Sequence, residues 1–173
     1  MTTEPDSQPV EMALYVALQR LLYREAKLLD RRDYKGWLTL FSDDLQYRVR
    51  IRSMRDSGAP DADSTIIDEG PVELRKRVEQ ISTARLSRAE NPPSLTRRFV
   101  TNVEAFHQDD PSEISLESSI LTFRARNGNE EGSFYVGKRH DLIRRLGDDF
   151  RIARRDVRLD QAVLFEGTLS TLL

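Results

Sequence analysis

Two histidines and no cysteine limit the chemistry open to this 173-residue chain. Without a thiol there is no disulfide, no thiolate nucleophile and no Cys-ligated metal. A mononuclear non-haem iron site needs two imidazoles and a carboxylate. Both His107 and His140 would have to serve, and no acidic residue stands at a spacing that completes a triad. Each is expected instead to be a strand residue satisfied by a hydrogen bond or by water. Acid/base chemistry in a pocket is the other option, and one positioned pair suffices for it. Asp43, Tyr47, Arg98 and His107 could be cast in such roles. Their plainer readings are a turn residue for Asp43, a strand residue for Tyr47 and a surface or interface group for Arg98.

The length allows one well-buried core and is short for two. With 27 basic and 29 acidic residues the net charge is −2. No basic stripe is present to neutralise phosphates, so no nucleic-acid partner is expected. Met1 to Gln8 is polar and acidic, unlike a signal peptide, and no apolar run approaches the ~20 residues of a membrane span. The expectation is a soluble cytoplasmic protein. Of the basic residues 23 are Arg and only four are Lys. Arg is favoured at protein interfaces because its flat guanidinium pairs bidentately. A base composition rich in Arg codons gives the same excess.

These side chains must be held by elements, and the apolar spacing predicts which. Residues 1–9 read as a flexible tail and 10–173 as a single α+β domain. From Val10 to Leu29, Leu14, Leu18, Leu21, Leu22 and Leu29 recur at helical steps, with Arg20, Arg24 and Lys27 on the wet side. Asp33 can cap a short second helix carrying Tyr34, Trp37, Leu38 and Phe41. Trp37, the only tryptophan, reads as a core plug. Ser42-Asp43-Asp44 reads as a turn, followed by a first strand from Leu45 to Ile51. Ser53 to Asp63 is a long loop of the kind that is functional or disordered. Pro71 starts a third helix, buried through Leu74, Val78, Ile81 and Ala84. The Asn91-Pro92-Pro93 run stops it, since neither proline can donate a backbone hydrogen bond.

The remainder reads as sheet. A second strand runs from Leu95 to His107, with Leu95, Phe99, Val103 and Ala105 on one face and Thr96, Arg98, Asn102 and Glu104 on the other. A third runs from Glu113 to Arg126, with a parity switch that predicts a bulge near Ile120. Asn127-Gly128 is a hairpin signal before a fourth strand, Ser133 to Arg145. A fifth runs from Phe150 to Leu164 and again switches parity. Helices first and long bulged strands last predict a curved antiparallel sheet wrapped around helices.

The segment Asn91-Pro92-Pro93-Ser94, with Thr96-Arg97 and the strand end Asn102-Val103, resembles the small (beta) subunit of Rieske-type aromatic ring-hydroxylating dioxygenases. So do Leu28-Leu29-Asp30, Trp37-Leu38, Asp43-Asp44-Leu45-Gln46-Tyr47, Tyr135-Val136-Gly137-Lys138-Arg139 and Phe150-Arg151-Ile152-Ala153-Arg154-Arg155. The likeness spans roughly Tyr15 to Leu173 in order, with Leu95 as one departure from the usual polar residue. It implies a cone-shaped fold of the nuclear-transport-factor-2-like, scytalone-dehydratase-like type. It implies three small and three large (alpha) subunits, with small subunits touching one another. It also implies that the Rieske [2Fe-2S] cluster and the mononuclear iron belong to the large subunit, and that electrons come from NADH through separate proteins. A Rieske cluster needs two Cys and two His, so this chain cannot hold it. Arg97, Arg98, Arg154, Arg155 and Arg158 are then expected to form interface ion pairs, and Leu172 and Leu173 to be covered by the partner. The competing reading is a stand-alone isomerase or dehydratase of the same fold.

Overall fold

A computed structural model describes residues 8–52, 63–83, 94–126, 129–161 and 171–173. Helix α1, Met12–Asp30, buries Leu18, Leu21, Leu22 and Leu29, as their spacing requires. It ends in a Schellman motif: the Asp33 N–H donates to the Leu28 carbonyl and the Arg32 N–H to that of Leu29. Arg32 takes the left-handed conformation there, φ 58°, a position glycine usually fills. Asp33 then accepts from the Gly36 N–H at 2.9 Å and caps α2, Tyr34–Leu38. Helix α3, Pro71–Ser82, has its proline in the first turn and buries Leu74 and Val78. The expectations for Thr2 to Ser7, the loop at 53–62, Ala84, the Asn91-Pro92-Pro93 stop, the Asn127-Gly128 turn and residues 162–170 fall outside the described residues.

Six strands follow: β1 Phe41–Ile51, β2 Ser64–Glu69, β3 Leu95–His107, β4 Glu113–Arg126, β5 Asn129–Leu146 and β6 Asp149–Leu159. They form one sheet in the order β2-β1-β6-β5-β4-β3. All pairings are antiparallel except β1 with β6, the second and third strands of the sheet, which is parallel, so the expected antiparallel sheet is mixed there. Strand β2 was not foreseen, although Thr65-Ile66-Ile67 is β-branched. Asp43 and Asp44 do not make a turn between elements. They lie within β1, where its pairing with β6 is interrupted between Phe41 and Gln46.

Irregular register bends the sheet. The expected parity switch in β6 is present, with the register shift opposite Leu142 and Ile143. The expected bulge at Ile120 is not. In β4 the buried row runs on unbroken through Ile114, Leu116, Ser118, Ile120, Thr122 and Arg124. The bulge lies instead on β3, between Thr101 and Glu104, where Asn102 has φ 50°. It reverses the inward parity of β3: Arg98 is buried before it and Ala105 after it, while Leu95 and Phe99 face outward at 61% and 56% exposure. The predicted apolar face of β3 is therefore wrong over its first half.

The helices pack on the concave face. Leu18, Leu22, Leu29, Leu116, Ile143 and Val157 form the core with Trp37 at its centre. Trp37 meets Phe41 and Tyr47 edge-on, with centroids at 4.7 and 6.1 Å. Leu172 and Leu173 close the same core.

Candidate functional site

In the hollow of the sheet sits a buried cluster of two acids and two arginines. Glu25 comes from α1, Arg139 and Asp141 from β5, and Arg155 from β6, and each is 3% exposed or less. Glu25 occupies a position on the apolar stripe of its helix. Asp141 and Arg155 are register partners across the β5–β6 ladder. Arg155 donates through Nε and Nη2 to the two Asp141 oxygens, both at 2.8 Å, a bidentate pair. Its Nη2 also reaches Glu25 Oε2 at 3.0 Å and its Nη1 reaches Glu25 Oε1. Arg139 Nη1 donates to Glu25 Oε2 at 3.1 Å, and the Trp37 indole N–H donates to Oε1 at 3.0 Å. The guanidinium of Arg155 lies 5.8 Å from the centre of the Phe41 ring.

The electrostatics follow from this geometry. Burial alone would raise the Glu25 carboxyl, but Arg155 and Arg139 outweigh it and bring its pKa down to about 2. Burial works against the charge on Arg155, yet Asp141 and Glu25 hold its pKa well above the usual arginine value. Arg139 is lowered, first by burial and then by Arg155. Two negative and two positive charges thus balance one another inside the fold. A carboxylate fixed in its ionised form, sealed from solvent and shared among three donors has no proton to exchange near neutral pH. The cluster is suited to joining helix to sheet and unsuited to general acid/base work.

Of the residues cast for pocket chemistry, only Tyr47 is at this site. Its hydroxyl donates to the Leu173 carbonyl at 2.8 Å and accepts from the Leu173 N–H at 3.1 Å, so it holds the closing segment. Burial raises its pKa further above the ordinary phenol value. Asp43 projects fully into solvent from β1. His107 lies near Glu11 and His140 near Glu117, each at 3.4 Å. Strand β4 separates the two histidines, and no metal-ligating group of three or more His, Cys, Asp or Glu occurs among the described residues.

The expected interface residues divide in two. Arg98 and Arg155 are internal, which corrects their placement at a surface. Arg98 donates to Asp30 Oδ1 at 2.8 Å and to the Leu172 carbonyl at 2.7 Å, and the sheet carries it inward because of the β3 bulge. Leu172 and Leu173 are 3% and 0% exposed within the single chain, so no partner is needed to cover them. Arg97, Arg154 and Arg158 are exposed, Arg158 paired with Asp63. Glu25 and Asp141 escaped sequence reasoning. The available signal was a carboxylate at the helical spacing of Leu18, Leu21, Leu22 and Leu29.

A separate cleft of about 480 Å3 opens between α1 and β3, lined by residues that include Tyr23, Lys27, Arg31, Arg97 and Phe99. No helix among the described residues is long and apolar enough to cross a membrane.

Comparison with known structures agrees with this architecture. A chain of naphthalene 1,2-dioxygenase, solved with indole bound in its active site, matches with a TM-score of 0.83 at 27% identity, covering 95% of this chain and 88% of that one. The beta subunit of benzoate 1,2-dioxygenase from Burkholderia mallei ATCC 23344 matches with a TM-score of 0.72 at 25% identity, covering 95% and 99%. A candidate scytalone dehydratase from Novosphingobium aromaticivorans DSM 12444 shares the fold alone, with a TM-score of 0.62 at 18% identity, covering 87% and 86%. The mixed α+β fold, a curved six-stranded sheet against N-terminal helices, is thus of the scytalone-dehydratase-like, nuclear-transport-factor-2-like type. The family model described as "Ring hydroxylating beta subunit" matches residues 24–166, and the chain belongs to that family.

Proposed function

We propose that this chain is the non-catalytic small subunit of a cytoplasmic aromatic-ring dioxygenase and supports the large subunits that carry out ring dihydroxylation. The observation that carries the reading is the filled hollow. Where a pocket enzyme of this fold would need an accessible acid/base pair, Glu25, Asp141, Arg139 and Arg155 neutralise one another under a lid of Leu172 and Leu173. The Rieske cluster and mononuclear iron then belong to the large subunit, because this chain has no cysteine and its two histidines are on separated strands. Three small and three large subunits would form the hexamer, with NADH as the electron source through separate proteins. Aromatic acids or hydrocarbons are the substrate class, by likeness to the benzoate and naphthalene enzymes. Exposed Arg97, Arg154 and Arg158 are available for contacts with large or neighbouring small subunits.

Co-expression with the cognate large subunit, followed by mass measurement and iron assay, tests this. The expected result is an iron-bearing complex of three plus three and an iron-free small chain when it is made alone. A small chain that ignores the large subunit, and turns over a substrate by itself, would overturn the reading.

A further inference from the structure

We propose that the cleft between α1 and β3 seats a segment of the large subunit that presents an apolar or aromatic anchor flanked by carboxylates. The inference rests on the subunit reading above. Strand β3 is an edge of the sheet. Arg97 and Phe99, on the outer side of that edge, line the cleft together with Tyr23 and Lys27 of α1 and Arg31 just past its end. Tyr23 and Phe99 are 49% and 56% exposed, apolar rings left open to water beside the cleft. Around it stand three cations, Lys27, Arg31 and Arg97, which pair with no acid among the described residues. Arginines at 48, 50, 98, 144 and 158 of the sheet are in ion pairs, while Arg145 and Arg154 share with the cleft cations the lack of an acid partner among the described residues. The one acid in the cleft, Asp30, is occupied by Arg98 through both oxygens.

Beyond the cleft, more apolar side chains lie on the outer face of the sheet. On the outer face of the sheet, Phe99 has Leu121 and Val136 as successive cross-strand neighbours, and Arg97 has Phe123 and Phe134. The last two rings lie 5.2 Å apart. Of the large apolar side chains left exposed among the described residues, Leu95, Phe99, Phe134 and Val136 share the outer face of the sheet near this edge. So concentrated a patch marks a docking surface. Its charge selects the occupant. A second copy docked by two-fold symmetry would set the same cations against one another, and a second copy seated head-to-tail is the alternative occupant that the test below separates. A partner with carboxylates around an apolar anchor neutralises them and fills the cleft.

The test compares the wild-type small chain with the double variant Lys27→Glu/Arg97→Glu, with Phe99→Ser, and with the remote control Lys76→Glu. Each is assayed for binding to the large subunit at low and high salt and for thermal stability alone. The expected result is at least about tenfold weaker binding for the double variant and for Phe99→Ser, with unchanged melting and a normal control. Wild-type binding should also weaken with salt, and that of the double variant far less. Wild-type-like binding by folded variants overturns the cleft while leaving the subunit reading intact. Failure of the wild type itself to bind overturns both. Loss of small-chain self-association with large-subunit binding retained would show a second copy in the cleft and overturn the proposal.

Discussion

Glu25 holds together three elements through one side chain, and its removal should be felt accordingly. Glu25→Gln leaves Arg139 and Arg155 sharing a single buried acid, and a loss of about 3–5 kcal/mol in unfolding free energy is expected from urea titration. The same residue predicts a pH dependence. Its carboxyl titrates near the ordinary value of 4.5 when unfolded and at about 2 when folded. The stabilisation is therefore complete above the unfolded value and is lost as pH falls through that interval. At 1.36 kcal/mol per unit the swing is on the order of 3 kcal/mol. Urea midpoints measured stepwise from neutral pH into that range should fall for the wild type and fall much less for Glu25→Gln. Arg98→Glu belongs to the same class. It sets a carboxylate against Asp30 and withdraws two donors from the Leu172 carbonyl, so a less stable chain is expected, visible by thermal melting before any partner is added.

Elements were legible where one periodicity held from end to end. The stripe of α1, the cap at Asp33 and the plug at Trp37 follow from spacing alone. In strands β3 and β4 hydrophobicity does not mark the inner face, so their apolar spacing points the wrong way. Arg98, Thr122 and Arg124 lie inside, while Leu95, Phe99 and Phe123 lie on the other face. A polar interior and an apolar exterior invert the usual alternation, and only the ladder register reveals it. The bulge at Asn102 could not be read either, since no glycine marks it. A glycine does mark the crossing of β5 with β6. A Cβ on Gly137 would stand 2.2 Å from the Arg158 carbonyl oxygen. Gly137→Ala should push the two strands apart and lower stability by about 1–3 kcal/mol, measured by chemical denaturation.

At the scale of the whole molecule, the hollow is closed by residues distant in sequence from those that hold them. Tyr47, Arg98 and Arg155 all bond the backbone of Leu172 or Leu173. Leu173→Ala removes a fully buried side chain from the core, and about 2–5 kcal/mol should be lost. The parallel pairing of β1 with β6 has a kinetic consequence. Tyr47 and Arg155 are direct register partners although 107 intervening residues separate them in the chain. One side of β1 stays unpaired until the last strand arrives, so loop closure over most of the polypeptide precedes completion of the sheet. Folding should accordingly be slow for a domain of this size. During synthesis β1 waits with an open edge, a template for pairing with other nascent chains until β6 leaves the ribosome.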